Sequence, residues 1–535
     1  MSTFDTIVIG SGPGGLGAAV ALARAGQRVL VLEQHYLPGG WCHSFTLDGH
    51  RFSPGVHYIG ELGPEGRTRK LYESLGVMHD LHFTELNPKG FDHFLVGDHP
   101  QFDLPAGREA QIQAFTQRFP HEARGIRQIY DLVAAINGVF ASPPPLRGLT
   151  DVARALPRYL PFARWGLRSW QAVLDAHVKD PLLKAYLSSQ AGDHGLPPDM
   201  APAVLHGAVI AHYFEGGFYP RGGGASLPRA FIRELKRCGG TIRLRAKVER
   251  ILVENRQGTP TAIGVRLAGG EEILAPNVVS NADPHVTYLR MMDPEHVPAK
   301  LRRRLARTRY SVPMASLFLA TDLDLSAFDS GNYWWAATHD VAGAYRRAAH
   351  DLPSEQSELD AIFCTVTSLK DRSKFDGTHH TLEAFTPIAW SELKAWESSE
   401  LGARPEAYAA FKQALTARML TALDHVIPGI AQHVTFSELG TPLTNRFYVE
   451  STRGNAYGTE KTISQLGPFA FPLGSHIARL HLCGASTQIH GIFGATMTGV
   501  QAAAQQLGLS PEALLAMRPR RDGETKTLAQ VHASA

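Results

Sequence analysis

The feature that most constrains this chain is its opening stretch. An apolar run, Thr6-Ile7-Val8-Ile9, enters the turn Gly10-Ser11-Gly12-Pro13-Gly14-Gly15. A helix of small residues follows, and a second apolar run, Val29-Leu30-Val31-Leu32, ends on Glu33. Strand, glycine turn, helix and strand in that order form a βαβ unit suited to a dinucleotide. Gly10 allows the tight turn, Gly12 lets a pyrophosphate approach the backbone, and Gly15 lets the helix pack close to the strand. The unpaired N–H groups at the helix N-terminus suit the phosphates. Glu33 stands where a carboxylate can accept from both ribose hydroxyls, which favours a ribose without a 2′-phosphate.

The 535 residues are too many for one ordinary core, so two or more lobes are expected. A hydrophobic fraction of 44% against 19% charged residues marks a globular chain. Lys plus Arg is 53 and Asp plus Glu is 50, a net charge of +3, which predicts no nucleic-acid partner. Cys42, Cys238, Cys364 and Cys483 are widely spaced and form no Cys/His cluster. The simplest reading is a reduced, cytoplasmic compartment with no metal site. The first strand starts near Met1, leaving no room for a signal peptide. No run of about 18 uninterrupted apolar residues occurs. Membrane contact is therefore expected to be peripheral, on the inner membrane face.

Beyond Glu33 come a glycine doublet, Gly39-Gly40, and Trp41-Cys42-His43-Ser44-Phe45. Residues 70–215 read as mostly helical, with a loop at Ser142-Pro143-Pro144-Pro145. In 158–170, arginines alternate with Tyr159, Phe162, Trp165 and Trp170. That pattern suits an interfacial membrane segment, or equally a helix packed on its own protein. Near residue 219 the texture changes. Tyr219-Pro220-Arg221-Gly222-Gly223-Gly224 leads into a helix near 226–238, and 241–251 alternates like a strand. Residues 262–267 and 272–274 read as a hairpin, and 278–282 as a buried strand entering a turn. The chain closes with Leu480-His481-Leu482-Cys483-Gly484 and a helix opening at Gly491-Ile492-Phe493-Gly494, a second anion-ready helix N-terminus. The expected fold is α/β, with a Rossmann-type FAD-binding domain in three segments, 1–70, 216–285 and 476–510. An α+β substrate domain (286–475) is interleaved, with a helical substrate and membrane-contact region (71–215) and a flexible tail (511–535).

The fingerprint alone does not separate NAD from FAD, but the interrupted layout does. One dinucleotide turn, a glycine doublet soon after the ribose acid and a closing glycine–helix segment suit an extended, buried FAD. No second fingerprint offers a stored site for NAD(P)H, so an electron donor or acceptor, itself unidentified, is expected to act transiently.

These residues also carry a family resemblance. Gly10 to Gly15, Glu33-Gln34-His35-Tyr36, Gly39 to Phe45 and Gly55-Val56-His57-Tyr58-Ile59-Gly60 resemble the retinol saturase branch of the carotenoid and retinoid oxidoreductases. Phytoene desaturases and carotenoid cis–trans isomerases belong to the same superfamily. Tyr219 to Gly223, Val279 to Pro284, Arg453 to Gly458 and Gly484 to Thr487 look like its later motifs. The resemblance implies an FAD flavoprotein acting on double bonds of a long polyene, usually at a membrane. It implies FAD contacts from Gly10, Gly12, Gly14, Gly15, Glu33, Gln34, Gly39 and Gly40. Val248 would lie near the adenine, and Gly484, Gly494 and Met497 near the flavin. Two departures stand out. Trp41 follows the doublet where amine oxidases of this superfold usually carry arginine, and the N-terminal targeting segment of the eukaryotic saturases is missing. The first argues against an amine oxidase, and the second points to a bacterial-type peripheral enzyme.

His57, Tyr58 and His490 are the candidate proton-handling groups, with Glu215 and Tyr457 behind them. Arg221 is read either as a pyrophosphate contact or as a solvent-facing residue. Cys42 lacks the electropositive neighbours of a nucleophile. The leading expectation is saturation or desaturation of a carotenoid or retinoid by hydride exchange with flavin. The alternatives are cis–trans isomerisation, an unsaturated fatty acid as substrate, an amine oxidase, and a flavin-free prenyl-lipid carrier, against which the intact fingerprint and Glu33 argue.

Overall fold

The structure is a computed structural model and describes residues 3–141, 159–350 and 358–517. Its first layer is a five-stranded parallel sheet in the order Leu480–Leu482, Asn277–Ser280, Thr6–Ile9, Val29–Leu32, Thr241–Arg243. Three distant stretches of sequence thus share one sheet. Val8 lies between Val31 and Val279 in register, and all three are buried. A parallel sheet covered on both faces requires continuous apolar strands, which is how 6–9 and 29–32 read. At the carboxyl ends of four strands stand Gly10, Glu33, Asn281 and Cys483, the edge at which such sheets bind ligands.

Helix Pro13–Arg24 packs on this sheet and crosses the closing helix, Gly491–Leu507, in direct backbone contact. A Cβ on Gly17 would lie 2.7 Å from the Thr496 carbonyl oxygen, and one on Gly499 would overlap that of Gly14. Small residues in both helices are what allow the two ends of the fold to meet.

A second sheet of seven strands runs Val434–Gly440, Met314–Thr321, His380–Pro387, Ala361–Val366, Asn332–Ala336, Asp92–Val96, Phe102–Leu104. It is antiparallel except where Asn332–Ala336 runs parallel to Asp92–Val96. A smaller antiparallel sheet joins Val248–Arg256, Thr259–Leu267 and Glu272–Leu274, with the last pair forming the expected hairpin. Among the described residues no helix is long and apolar enough to cross a membrane.

Several expectations change. The stretch 241–251 is not one strand. After Arg243 the backbone turns through Arg245, whose φ is 55°, and Val248 begins a strand in another sheet. The turn is pinned by Arg245 N–H to the His35 carbonyl (3.1 Å) and Ala246 N–H to the Glu33 carbonyl (2.8 Å). Within 71–215, read as helical, three strands occur. Phe83–Glu85 pairs with Phe218–Pro220, and the other two extend the seven-stranded sheet. In 159–170 a π-helical turn, Phe162–Gly166, precedes helix Trp170–His177, capped by the Ser169 hydroxyl. Trp170 is buried and donates its indole N–H to the Leu187 carbonyl (3.0 Å), so this end packs on the protein, while Leu160 and Leu167 are exposed. The start of the tail is helical at Pro511–Leu515, with Leu514 buried. The loop at 142–145 and the tail from 518 lie outside the described residues.

Candidate active site

One cavity of about 1740 Å³ opens at the carboxyl edge of the parallel sheet and runs to the second sheet. Typical small-molecule pockets hold about 300–1,000 Å³, so this space admits a dinucleotide and a second long ligand together. Its nucleotide end is lined by Gly10, Gly12, Gly14, Glu33, Gln34 and Gly40. Val248, Gly494 and Met497 line it further along. Gly15, Gly39 and Gly484 sit behind the wall. A Cβ on Gly15 would overlap the Gly10 carbonyl oxygen, which is the close helix–strand packing expected of that position.

Gly10, Gly12, Gly14 and, from behind the wall, Gly484 surround one side chain. A Cβ on Gly12 would lie 2.7 Å from Asn281 Nδ2, and Cβ atoms on Gly14 and Gly484 would each lie 2.5 Å from Asn281 Oδ1. A Cβ on Gly10 would still touch Asn281, at 3.6 Å. Asn281 therefore plugs the gap between the two glycine turns, and its own N–H is tied to the Ile9 carbonyl (2.9 Å). The Gly12 N-cap has no side-chain partner, leaving the first N–H groups of helix Pro13–Arg24 without an intrahelical acceptor. That cradle, unfilled by side chains, fits the pyrophosphate of a dinucleotide.

Glu33 is buried at the rim. Its Oε2 accepts from the Ser11 N–H (2.8 Å) and hydroxyl (2.6 Å), and its Oε1 accepts from the His35 N–H (2.9 Å). Three of a carboxylate's roughly four acceptor positions are thus used by the protein. Glu33 shapes the turn as well as offering acceptor capacity to a ribose.

The far end of the cavity is apolar and aromatic. Trp334, Phe363 and Phe385 form one wall, with Phe162, Leu167 and Leu466 towards the outside. The His57 ring lies 4.5 Å from that of Phe385. His57 Nδ1 is 3.3 Å from Glu383 Oε2 but off the hydrogen-bond direction, and neither atom has a hydrogen-bond partner. Burial holds His57 below its ordinary pKa despite the Glu383 carboxylate. Glu383 is itself buried, 3.4 Å from Lys374 Nζ, and accepts from the Ser53 N–H (2.6 Å).

Tyr58 stacks on Tyr213 at 4.1 Å and donates to Asp193 Oδ2 (2.7 Å). Its hydroxyl also lies 3.3 Å from Asp92 Oδ2. Burial, then the two carboxylates, push the Tyr58 phenol well above its usual range. His490 Nε2 faces the Asp193 carbonyl oxygen at 3.3 Å, which makes Nε2 the protonated nitrogen. His490 Nδ1 is buried without a partner, and burial with the Lys461 charge lowers this ring to about 4. Lys461 Nζ donates to Thr459 Oγ1 (3.0 Å) and the Thr487 carbonyl (2.7 Å), and burial lowers it to about 7.

The candidates His57, Tyr58, His490 and Tyr457 thus all line one cavity. Glu215 is exposed and does not, and Arg221 is exposed and directed at Thr84. The Cys42 thiol is pushed up to about 12 by burial. Residues that sequence reasoning missed are Asn281, Asp193 and Lys461. Asn281 sits in the family-like motif Val279 to Pro284. Asp193 sits in Gly192-Asp193-His194-Gly195, whose two glycines mark a break in regular helix.

The flavin containing amine oxidoreductase family matches residues 13–507. An all-trans-retinol 13,14-reductase of Homo sapiens is 30% identical over 92% of this chain and 83% of its own length. A chloroplastic prolycopene isomerase of Arabidopsis thaliana is 25% identical over 85% of this chain and 74% of its own. The crystal structure of an oxidoreductase from Methanosarcina mazei superposes with a TM-score of 0.62 at 16% identity, covering 93% of this chain and 99% of that one, which shows a shared fold.

Proposed function

Because the chain belongs to the flavin containing amine oxidoreductase family, we propose that it acts with FAD on the carbon–carbon double bonds of a long hydrophobic polyene, a carotenoid or retinoid. The observation that carries this reading is the continuity of the cavity, from the glycine turns to an aromatic, apolar wing. Gly10, Gly12, Gly14 and Gly40 would cradle the pyrophosphate, with Gly15 and Gly39 setting the backbone behind them. Glu33 and Gln34 would take the ribose, and Val248 the adenine. Gly484, Gly494 and Met497 would stand beside the flavin ring. These contacts divide the chain into an FAD-binding unit of 1–70, 216–285 and 476–510, with the remainder shaping the substrate side.

When bound, the cofactor supplies hydride exchange with carbon. The chain's own part is to hold the polyene in line, exclude water and handle one proton. Trp334, Phe363 and Phe385 offer the apolar wall that a polyene needs, and His57 and Tyr58 face the same space. The reductase named above supports saturation as the direction.

The substrate class also bears on location. Leu167, Ile463 and Phe469 line the cavity and are exposed, and Met200 meets Ile463 and Phe469 in a neighbouring depression. Arg164 and Arg168 flank this rim, each over the Trp165 ring at 5.3 and 5.2 Å. Apolar residues flanked by arginine suit peripheral contact with an anionic lipid surface, from which a polyene would enter.

Purified protein should show visible flavin absorbance, and its absence would overturn the reading. Incubated anaerobically with carotenoids and retinoids after reduction, it should yield a product heavier by two hydrogens. A product lighter by two hydrogens means desaturation, and unchanged mass with altered absorption means isomerisation. Turnover of unsaturated fatty acids alone would replace the polyene as substrate.

A further inference from the structure

Three oxygens stand in a row on the cavity wall: Asp193 Oδ2, Tyr58 Oη at 2.7 Å, and Asp92 Oδ2 at 3.3 Å from Tyr58. The phenol has one hydrogen, and two ionised carboxylates cannot both receive it. A second proton is needed on one carboxyl group for the row to be satisfied. The surroundings decide which. Asp92 is buried behind the wall and already accepts from Asn332 Nδ2 (2.9 Å) and Gln190 Nε2 (2.9 Å). Lys370 approaches from behind, donating to Asn332 Oδ1 and to the His57 carbonyl (2.9 Å). Asp193, in contrast, lines the cavity, and Tyr58 is its only side-chain hydrogen-bond partner among the described residues. The other titratable groups facing it are phenols and an imidazole: Tyr213, Tyr345, Tyr457 and His490. No cation contacts it directly among the described residues.

We propose that Asp193 is the proton donor of this site, a carboxylic acid kept neutral on the wall of the cavity that would hold the substrate. The location is the useful one. Its carbonyl meets His490, the N-cap of the helix that carries Gly494 and Met497. In saturation, which rests on the function proposed above, the Asp193 O–H bond breaks and a C–H bond forms at one carbon of the double bond. The electron pair and hydrogen for the other carbon would be supplied as hydride by the reduced flavin of the function proposed above. The resulting carboxylate is held by the Tyr58 O–H and regains a proton from solvent between turnovers. Burial, with the nearby Asp92 charge, raises Asp193 to about 8, so it is protonated at neutral pH.

The flavin-loaded protein tests this in two ways. Infrared spectra at neutral pH should show the C=O stretch of a buried carboxylic acid that Asp193→Asn removes. Raising the pH through about 8 should bleach the band. Asp92→Asn should move that bleaching to lower pH, since it removes a neighbouring negative charge. Tyr58→Phe should move it to higher pH, since it removes the donor that favours the carboxylate. A band that persists in Asp193→Asn overturns the proposal, whatever substrate the enzyme proves to use. In turnover, Asp193→Asn should keep its flavin and lose about 100-fold or more in polyene reduction, with Asp193→Glu partly restoring it. Undiminished reduction by Asp193→Asn overturns the proton-donor role. If the wild-type protein carries the band but reduces no polyene, the function proposed above fails while the protonated Asp193 stands.

Discussion

Asn281 shows how residues far apart in sequence make one turn. Glycines in a dinucleotide fingerprint are usually credited to ligand approach. Here Gly12, Gly14 and Gly484 also leave the volume that the Asn281 amide fills. A Cβ on Gly14 would lie 2.5 Å from Asn281 Oδ1 and 2.8 Å from both Cα and N of Gly484. The amide can move, but the Gly484 backbone, held by its N–H to Thr498 Oγ1 (2.9 Å), cannot. Gly14→Ala is therefore expected to destabilise the fold by about 1–3 kcal/mol and to lower flavin content. Adding Asn281→Ala should not restore either, because the Gly484 contact remains. Thermal melting and flavin absorbance of the single and double variants check this, and full recovery in the double variant would show that the amide alone was at fault. Gly10 to Glu33 were legible because the fingerprint is local, with every part within one βαβ unit. Asn281, Asp193 and Lys461 were not, because what they do depends on neighbours brought in from distant parts of the chain.

At the level of elements, the strand Asp92–Val96 joins the second sheet through a buried histidine. His93 Nδ1 lies 2.7 Å from Asp103 Oδ1 and Nε2 lies 2.9 Å from Asp329 Oδ1, so the ring bridges the strand Phe102–Leu104 and the turn before Asn332–Ala336. With a carboxylate on each nitrogen, both nitrogens donate and the ring is cationic. Burial opposes the charge, but the two carboxylates outweigh it and raise His93 to about 9. The unfolded chain titrates near 6.5, so this clamp contributes fully below that pH and is lost as pH rises towards 9. Its worth is about 3 kcal/mol at most. Denaturant unfolding of wild type and His93→Asn should differ most near pH 6 and converge above pH 9, while a gap independent of pH would mean that packing, not charge, holds the strands. The same strand explains a limit of sequence reading. Asp92 and His93 open the strand, and both are buried, so it lacks the apolar signature that marked 6–9 and 29–32. The stretch 241–251 failed for the opposite reason. Its alternation continued through Arg245, where the backbone turns, and periodicity carries no mark of a residue that changes sheets.

Over the whole molecule, the two sheets face one cavity whose nucleotide end is polar and whose other end reaches an apolar, arginine-flanked rim. The net charge of +3 is too small to drive the protein onto a membrane, so any attraction must be local to that rim. Arg164 and Arg168 are exposed, do not line the cavity and lie beside the exposed Leu160 and Leu167. A basic side chain near an anionic bilayer is worth about 1 kcal/mol, so removing both should cost about 2 kcal/mol, or roughly thirtyfold in partitioning. Arg164→Gln with Arg168→Gln should therefore sediment less with anionic vesicles at low salt and turn over vesicle-borne polyene more slowly. On detergent-dispersed polyene the same variant should match wild type, because neither arginine reaches the reacting end of the cavity. High salt should erase the difference on vesicles, since an exposed charge is screened within about 8 Å at physiological ionic strength. Equal partitioning of variant and wild type at low salt would remove the arginines from the docking surface. Binding would then rest on the exposed apolar residues of the rim, Leu167, Ile463 and Phe469 among them.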